Sequence, residues 1–281
     1  VVGGSNVGLT IAGSKDSSIT GDIHADGKTS IKLGEGSTID GQIIVGYSGE
    51  LLPAVPSLSL KGPITMSGQS GSDGGAIVIN QADINTGARP WTANPSVTID
   101  GLTFTQNSAT NSGGAIYNES HNTTISNTTF GALDSMGNAD TTMGNTAGSQ
   151  GGALYSYKTV TLSDSAFYGN ASQNGGAIWN QGSETQLGRT VFKGNTASES
   201  GGAVYSMGHL DMLGSNTFTS NSATGGSGGA IYLVGGLNAV GDDSGGSIFT
   251  GNTASGGVTH KSSRGGALFN DSNEFLSALE K

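Results

Sequence analysis

Gly-Gly-Ala followed by an aliphatic and an aromatic residue returns six times along the chain, as GGAIYN, GGALYS, GGAIWN, GGAVYS, GGAIYL and GGALFN. These copies start at Gly113, Gly151, Gly175, Gly201, Gly228 and Gly265, with a weaker GGAIVIN at Gly74. Such a repeat constrains the fold more than any local propensity, because a unit too small to bury its own apolar face must stack on its neighbours. The steps between starts are 39, 38, 24, 26, 27 and 37 residues, so the irreducible unit is 24 to 27 residues and three units carry an insertion. A second motif, Phe-x-x-Asn, keeps phase with the first at Phe104/Asn107, Phe167/Asn170, Phe192/Asn195, Phe218/Asn221 and Phe249/Asn252. Degenerate copies at Met66/Gln69 and Thr142/Asn145 hold the same register. Phe130 stands where the other units place their phenylalanine, so Thr142 reads as the far side of an insertion over Leu133 to Met143.

Composition decides what a unit of this length can be. Fifty glycines in 281 residues, each costing about 1 kcal/mol inside a helix, together with abundant Ser, Thr and Asn, leave no apolar run at helical spacing. Leucine-rich repeats need several leucines at fixed offsets in each unit, and these are absent. The segments between glycines are short and β-rich, such as Ser96 to Ile99, Ile116 to Asn118, Thr123 to Ser126 and Thr159 to Leu162. The expected fold is therefore all-β: a right-handed parallel β-helix, a solenoid whose rungs have about three short strands, with loop insertions between rungs. Gly and Asn would supply left-handed turn angles.

In that fold each motif position becomes a ladder, because parallel strands repeat every ~4.8 Å. Ile77, Ile116, Leu154, Ile178, Val204, Ile231 and Leu268 form an expected inward aliphatic column. Phe104, Phe130, Phe167, Phe192, Phe218 and Phe249 form a second inward column. Asn107, Asn145, Asn170, Asn195, Asn221 and Asn252 are expected to stack at a turn and share amide hydrogen bonds. Strand alternation then turns Tyr117, Tyr155, Trp179, Tyr205, Tyr232 and Phe269 outward as an exposed aromatic ladder. Such a stack either binds sugars or apolar ligands or only stabilises the ladder, and the second reading is preferred. Residues 1–65 keep the grammar without the motif, with Ile11, Ile19, Ile23, Ile31, Ile39 and Ile43 in short strands, and read as narrower, irregular rungs. Residues 66–270 are the regular repeat, and 271–281, including EFLSALEK from Glu274 to Lys281, read as a tail or cap.

The net charge of −10, from 11 Lys+Arg against 21 Asp+Glu, argues against nucleic acid or an anionic membrane as main partner, since both need clustered cations. No stretch resembles a transmembrane helix, and VVGGSNVGLTIAG at the N-terminus lacks the basic and apolar regions of a signal peptide. The chain has no cysteine, which removes disulfide and thiolate chemistry and agrees with export. Catalysis on a β-helix needs carboxylates with a cation on one face of neighbouring rungs. Asp22 and Asp26 flanking His24, Asp134 with Asp140, and Asp242-Asp243 do not recur at rung spacing with a basic partner, and Asp242-Asp243 reads as a polar turn. His24, His121, His209 and His260 are scattered, so no catalytic residue, metal site or cofactor is expected.

GGA followed by Ile, Leu or Val, in phase with Phe-x-x-Asn over about Met66 to Asn270, resembles the repeat of the chlamydial polymorphic membrane proteins and, more broadly, of autotransporter passenger domains. The resemblance implies a surface-displayed or secreted β-helical passenger acting as an adhesin and exported by a C-terminal outer-membrane β-barrel. No barrel follows Lys281, so it further implies a passenger fragment, not itself inserted in the membrane. The missing cysteines depart from many chlamydial members and favour a relative from another Gram-negative bacterium.

Loops can vary without disturbing a ladder, so specific recognition is expected in the insertions. Asp83 to Pro95 offers Arg89 and Trp91, an aromatic near a cation on a Pro-stiffened loop, although a loop packed on the shaft fits equally well. Gly256 to Arg264 offers His260, Lys261 and Arg264, the densest basic patch of an acidic chain, against a default of a solvated loop. The expected role is adhesion to a host-cell glycan or protein, or self-association. A polysaccharide lyase or hydrolase and a purely structural stalk are the alternatives.

Overall fold

The computed structural model describes residues 9–46, 55–85, 90–182, 184–242, 245–256 and 265–271, with only the backbone described over 82–93. Every regular element among them is a strand. One rung shows the plan: Glu184–Gly188, Val191–Lys193, Thr196–Ala197 and Val204–Ser206 follow one another and then repeat one step along the axis. These are called here the long, phenylalanine, short and closing faces. Each strand pairs in parallel with its counterparts in adjacent rungs, giving sheets of 16, seven and nine strands. The long and phenylalanine faces share the 16-stranded sheet, because Ser57–Ser67 and Ser96–Thr105 run unbroken through both. The chain is a parallel β-helix with four strands per regular rung instead of about three. The extra strand arises because the Asn corner and the Gly-Gly corner each turn the chain, leaving a two-residue strand, Thr196–Ala197, between them.

The first rungs are narrower, as expected. Leu9 pairs with Thr29, Ser18 with Thr38 and Ile23 with Ile43, a step of 20 residues in each case. They lack the short face, whose first strand is Ser70–Gly71. Ser57–Ser67 crosses the expected boundary at 65/66 and pairs with rungs on both sides, so the stack is continuous there.

The core is one column set. Ile23, Ile43, Ile77, Ile116, Leu154, Ile178, Val204 and Ile231 are fully buried in register, with Leu268 half-buried at the last described rung. Phe104, Phe130, Phe167, Phe192 and Phe218 are fully buried and, with Phe249, stack ring on ring at centroid separations of 4.5 to 5.0 Å and interplanar angles of 10° or less. Burying each such side chain contributes about 1.5–3 kcal/mol.

The Asn corner is a continuous amide ladder. The Asn195 amide nitrogen donates to Asn221 Oδ1 (2.9 Å) and to the Phe167 carbonyl of the preceding rung (2.9 Å). Its Oδ1 accepts from the Asn170 backbone N–H and side-chain amide, both at 3.0 Å. Asn107, Asn145, Asn170 and Asn221 repeat the pattern, and the degenerate Gln69 joins it through its backbone N–H to Asn107 Oδ1. Buried amides demand such partners, which is why the position is restricted to Asn.

The Gly-Gly corner needs both glycines for different reasons. The first has φ between 57° and 68° in all seven copies, where a Cβ would be strained. The second sits in the axial stack, where a Cβ on Gly176 would collide with the carbonyl oxygen of Gly202 in the next rung.

Two insertions expected as loops are β-hairpins. Ala82–Asn85 pairs antiparallel with Pro90–Ala93, placing Trp91 opposite Ile84. Ala132–Leu133 pairs antiparallel with Ala139–Asp140, between Phe130 and Asn145 as the register demanded. Local antiparallel pairing satisfies backbone groups that a bare loop would leave to water.

Candidate functional site

Two outward surfaces carry the chemistry that the ladders leave over. The first is the aromatic column. Tyr117 and Tyr155 stack at 4.9 Å, Trp179 and Tyr205 at 4.1 Å, Tyr205 and Tyr232 at 4.6 Å, while Phe269 tilts by 37° on Tyr232. These rings point away from the core, but the expectation of an exposed ladder is corrected: Tyr155 and Trp179 are each only 6% exposed and the others are half-buried. Tyr205 has Trp179 on one face and Tyr232 on the other, so stacking leaves its edge to solvent. The hydroxyls are engaged along the edge, Tyr117 donating to Glu119 (2.9 Å), Tyr155 to Gln181, and Tyr232 to Asp271 (3.0 Å). Burial pushes the Tyr155 phenol up to about 12, and it raises Tyr117, Tyr205 and Tyr232 as well. The column is scaffold.

The second surface is the outer side of the long face. Register places Thr98, Thr124, Thr161, Gln186, Asp211 and Asn238 in one outward column. Glu184 stands beside His209 in the adjoining column. Gln186 donates to Glu184 Oε1 at 2.7 Å, and His209 Nε2 lies 3.1 Å from Asp211 Oδ1, an oxygen that accepts no well-directed hydrogen bond. Glu184 and Asp211 stand one rung apart, in adjoining positions of the pairing. Burial, and then the neighbouring Glu184 carboxyl, raise the Asp211 carboxyl, whereas the Gln186 amide chiefly lowers Glu184.

Sequence reasoning, which weighed only Asp22 with Asp26, Asp134 with Asp140, and Asp242-Asp243, missed this cluster. Glu184 precedes His209 by 25 residues, one unit of the repeat; the signal was a residue pair one repeat apart, hidden because neither residue belongs to a motif. No group of three or more His, Asp or Glu able to hold a metal occurs among the described residues.

Two concavities open on this face and share Thr161. One is lined by Ser96, Thr98, His121, Asn122 and Thr124. The other lies around Gly188, between Gln186, Arg189, Leu213 and Val240. Arg189 makes a bidentate pair with Asp164 at 2.6 and 2.7 Å, and its guanidinium holds the Asp164 carboxyl below the usual range. Nearby, Asp242 and Gly245 close a tight antiparallel turn, as the polar-turn reading required; Asp243 lies outside the described residues. On the phenylalanine face the hairpin 132–140 is anchored by Lys193, whose Nζ donates to the Gly137 carbonyl at 2.6 Å. Asp134 accepts from the backbone N–H groups of Met136 and Asn138 and fixes the turn.

Of the binding residues expected in the insertions, Arg89, His260, Lys261 and Arg264 lie outside the described residues, as does the cap segment Glu274 to Lys281. Trp91 is described in backbone only, as a strand residue of its hairpin.

No curated protein and no solved structure matches the chain. A family model does match, over residues 101–119, 189–207 and 217–233. Each matched segment runs from the phenylalanine strand through the Asn and Gly-Gly corners into the closing strand. The unmatched copies depart in spacing or residue: Asn170 precedes its Gly-Gly by five residues, Asn252 by 13, and Asn145 lacks a phenylalanine three residues before it. Three rungs of this β-helix thus match the Chlamydia polymorphic membrane protein repeat, through the same Phe, Asn and Gly-Gly positions that build its ladders.

Proposed function

We propose that the chain is part of a surface-exposed autotransporter passenger, displayed at the outer membrane or secreted, that works without catalysis by adhesion to a host-cell glycan or protein, or by self-association. The observation that carries this reading is the family repeat at three places along one stack. It is supported by a chain whose recurrent side chains are consumed in ladders, leaving surface residues to do the recognising. An export barrel belongs downstream in this reading, and the acidic surface fits neither nucleic acid nor anionic lipid. The test is to coat beads with the purified protein, count those retained on cultured animal cells, and follow self-association by sedimentation. Retention above albumin-coated beads, or a concentration-dependent oligomer, is expected; inert beads together with a monomer at every concentration would contradict the reading.

A further inference from the structure

Gly188 is a glycine that the fold does not require. It is the last residue of the strand Glu184–Gly188, with φ outside the left-handed region, and a Cβ there would meet nothing closer than 3.7 Å. Gly175 and Gly176, by contrast, are fixed by positive φ and by axial collision. A glycine without such a reason leaves its stretch of backbone open, one of the settings in which a ligand approaches the main chain closely. The outward column here reads Ser126, Ser163, Gly188, Leu213, Val240, so the missing side chain leaves a notch between a serine and an apolar wall. Leu213 and Val240 are 41% and 52% exposed, unusually open for aliphatic residues in register.

We propose that this notch seats one pyranose ring of a neutral glycan, deepening the adhesion reading on which it rests. The wall of Leu213 and Val240 takes the C–H face of the ring. Thr161 and Ser163 bring hydroxyls, and Gln186 keeps one amide hydrogen beyond the one given to Glu184. A concave site with an apolar wall and a few polar groups has the make-up of a small-ligand pocket. Through Thr161 the notch opens into the second concavity, whose Thr124, Asn122 and His121 continue a polar path for further sugar units. A peptide added as a strand is disfavoured because the strands carrying Ser163, Gly188 and Leu213 pair on both sides, and addition at Leu237–Val240, the edge of the described sheet, would place the peptide beside the notch and not in it. An anionic polymer is disfavoured because Arg189 is already paired with Asp164, and Glu184 and Asp211 stand in the adjoining columns.

The test uses the whole protein on immobilised glucan, mannan and galactan, with alginate as anionic comparator and a random peptide library. Gly188→Leu fills the notch without backbone strain, and Leu213→Ser removes half of the wall from an exposed position. The expected result is binding to at least one neutral polymer, lost at least tenfold in both variants with the melting temperature of Gly188→Leu unchanged or higher. Equal binding by wild type and Gly188→Leu would overturn the notch while leaving adhesion standing. Binding only to alginate or to peptides, or to cells without any neutral glycan, would overturn it in the same way. Failure on glycans, cells and self-association together would remove both.

Discussion

Replacing Asn195 by alanine tests what the Asn ladder contributes. The side chain is fully buried, and its loss leaves the Asn170 backbone N–H and the Phe167 carbonyl each without the partner they have at 3.0 and 2.9 Å. The Asn170 side-chain amide keeps its bond to the Phe130 carbonyl but loses the one to Asn195. At about 1–3 kcal/mol for each orphaned buried group, the substitution destabilises by about 3–5 kcal/mol. Urea unfolding followed by Trp fluorescence reads the loss, and because a solenoid can open by rungs, amide exchange at Asn170 and Asn221 localises it. Asn195→Asp sharpens the test, since a carboxylate there faces the Phe167 carbonyl and Asn221 Oδ1, both acceptors. Its carboxyl is held above the unfolded value, so the variant is most stable below ~pH 4, the unfolded carboxyl range, and loses stability as pH rises through the folded value. A loss below ~1 kcal/mol for Asn195→Ala, with Asn170 still protected, would refute the reasoning.

Gly176→Ala drives a Cβ into the Gly202 and Thr196 carbonyls and should cost at least ~3 kcal/mol, read as a lowered melting temperature, whereas Gly188→Ala should not destabilise. Asp211 has a raised carboxyl, so its ionisation opposes folding; Asp211→Asn should raise the melting temperature at neutral pH, with the gain fading as pH falls below the unfolded carboxyl value. Glu184 has the opposite sign, its stabilisation present at neutral pH and lost as pH drops through its lowered value, so Glu184→Gln should lower the melting point near pH 7 and not at low pH. Spectrophotometric titration should leave the phenols of Tyr117, Tyr155 and Tyr232 protonated at pH 11 in the folded protein, and early ionisation of the set would contradict their burial.

The ladders were legible because rung stacking forces one residue type to recur: Phe104 to Phe249 and Asn107 to Asn252 announce their own contacts. The degenerate Gln69 and the displaced Asn145 were legible for the same reason, through phase alone. The aromatic column was half legible. Alternation gave its outward direction, but the burial of Tyr155 and Trp179 depends on neighbours in adjacent rungs that neither residue shows singly. The hairpin nature of the insertions was hidden because short runs such as ADIN and PWTA carry no alternation. The pairing of Glu184 with His209 and Asp211 was hidden because non-motif residues one unit apart look scattered until the register is known. Gly188 was hidden among 50 glycines, and only the space around its missing Cβ separates it from those that turn the chain.

The central claim is register: positions one unit apart in sequence lie one strand step apart in space. The chain has no cysteine, so paired cysteines carry spin labels at chosen outward sites of one column. Thr124, Thr161, Gln186, Asp211 and Asn238 are successive members, and Asn238→Cys paired in turn with Asp211→Cys, Gln186→Cys, Thr161→Cys and Thr124→Cys gives one to four steps. Electron–electron distance measurements should rise by ~4.8 Å per step to about 19 Å of backbone separation at Thr124, although 114 residues separate the ends. Distances that fail to rise in order, or that scatter as in a globular or unfolded chain, would contradict the account.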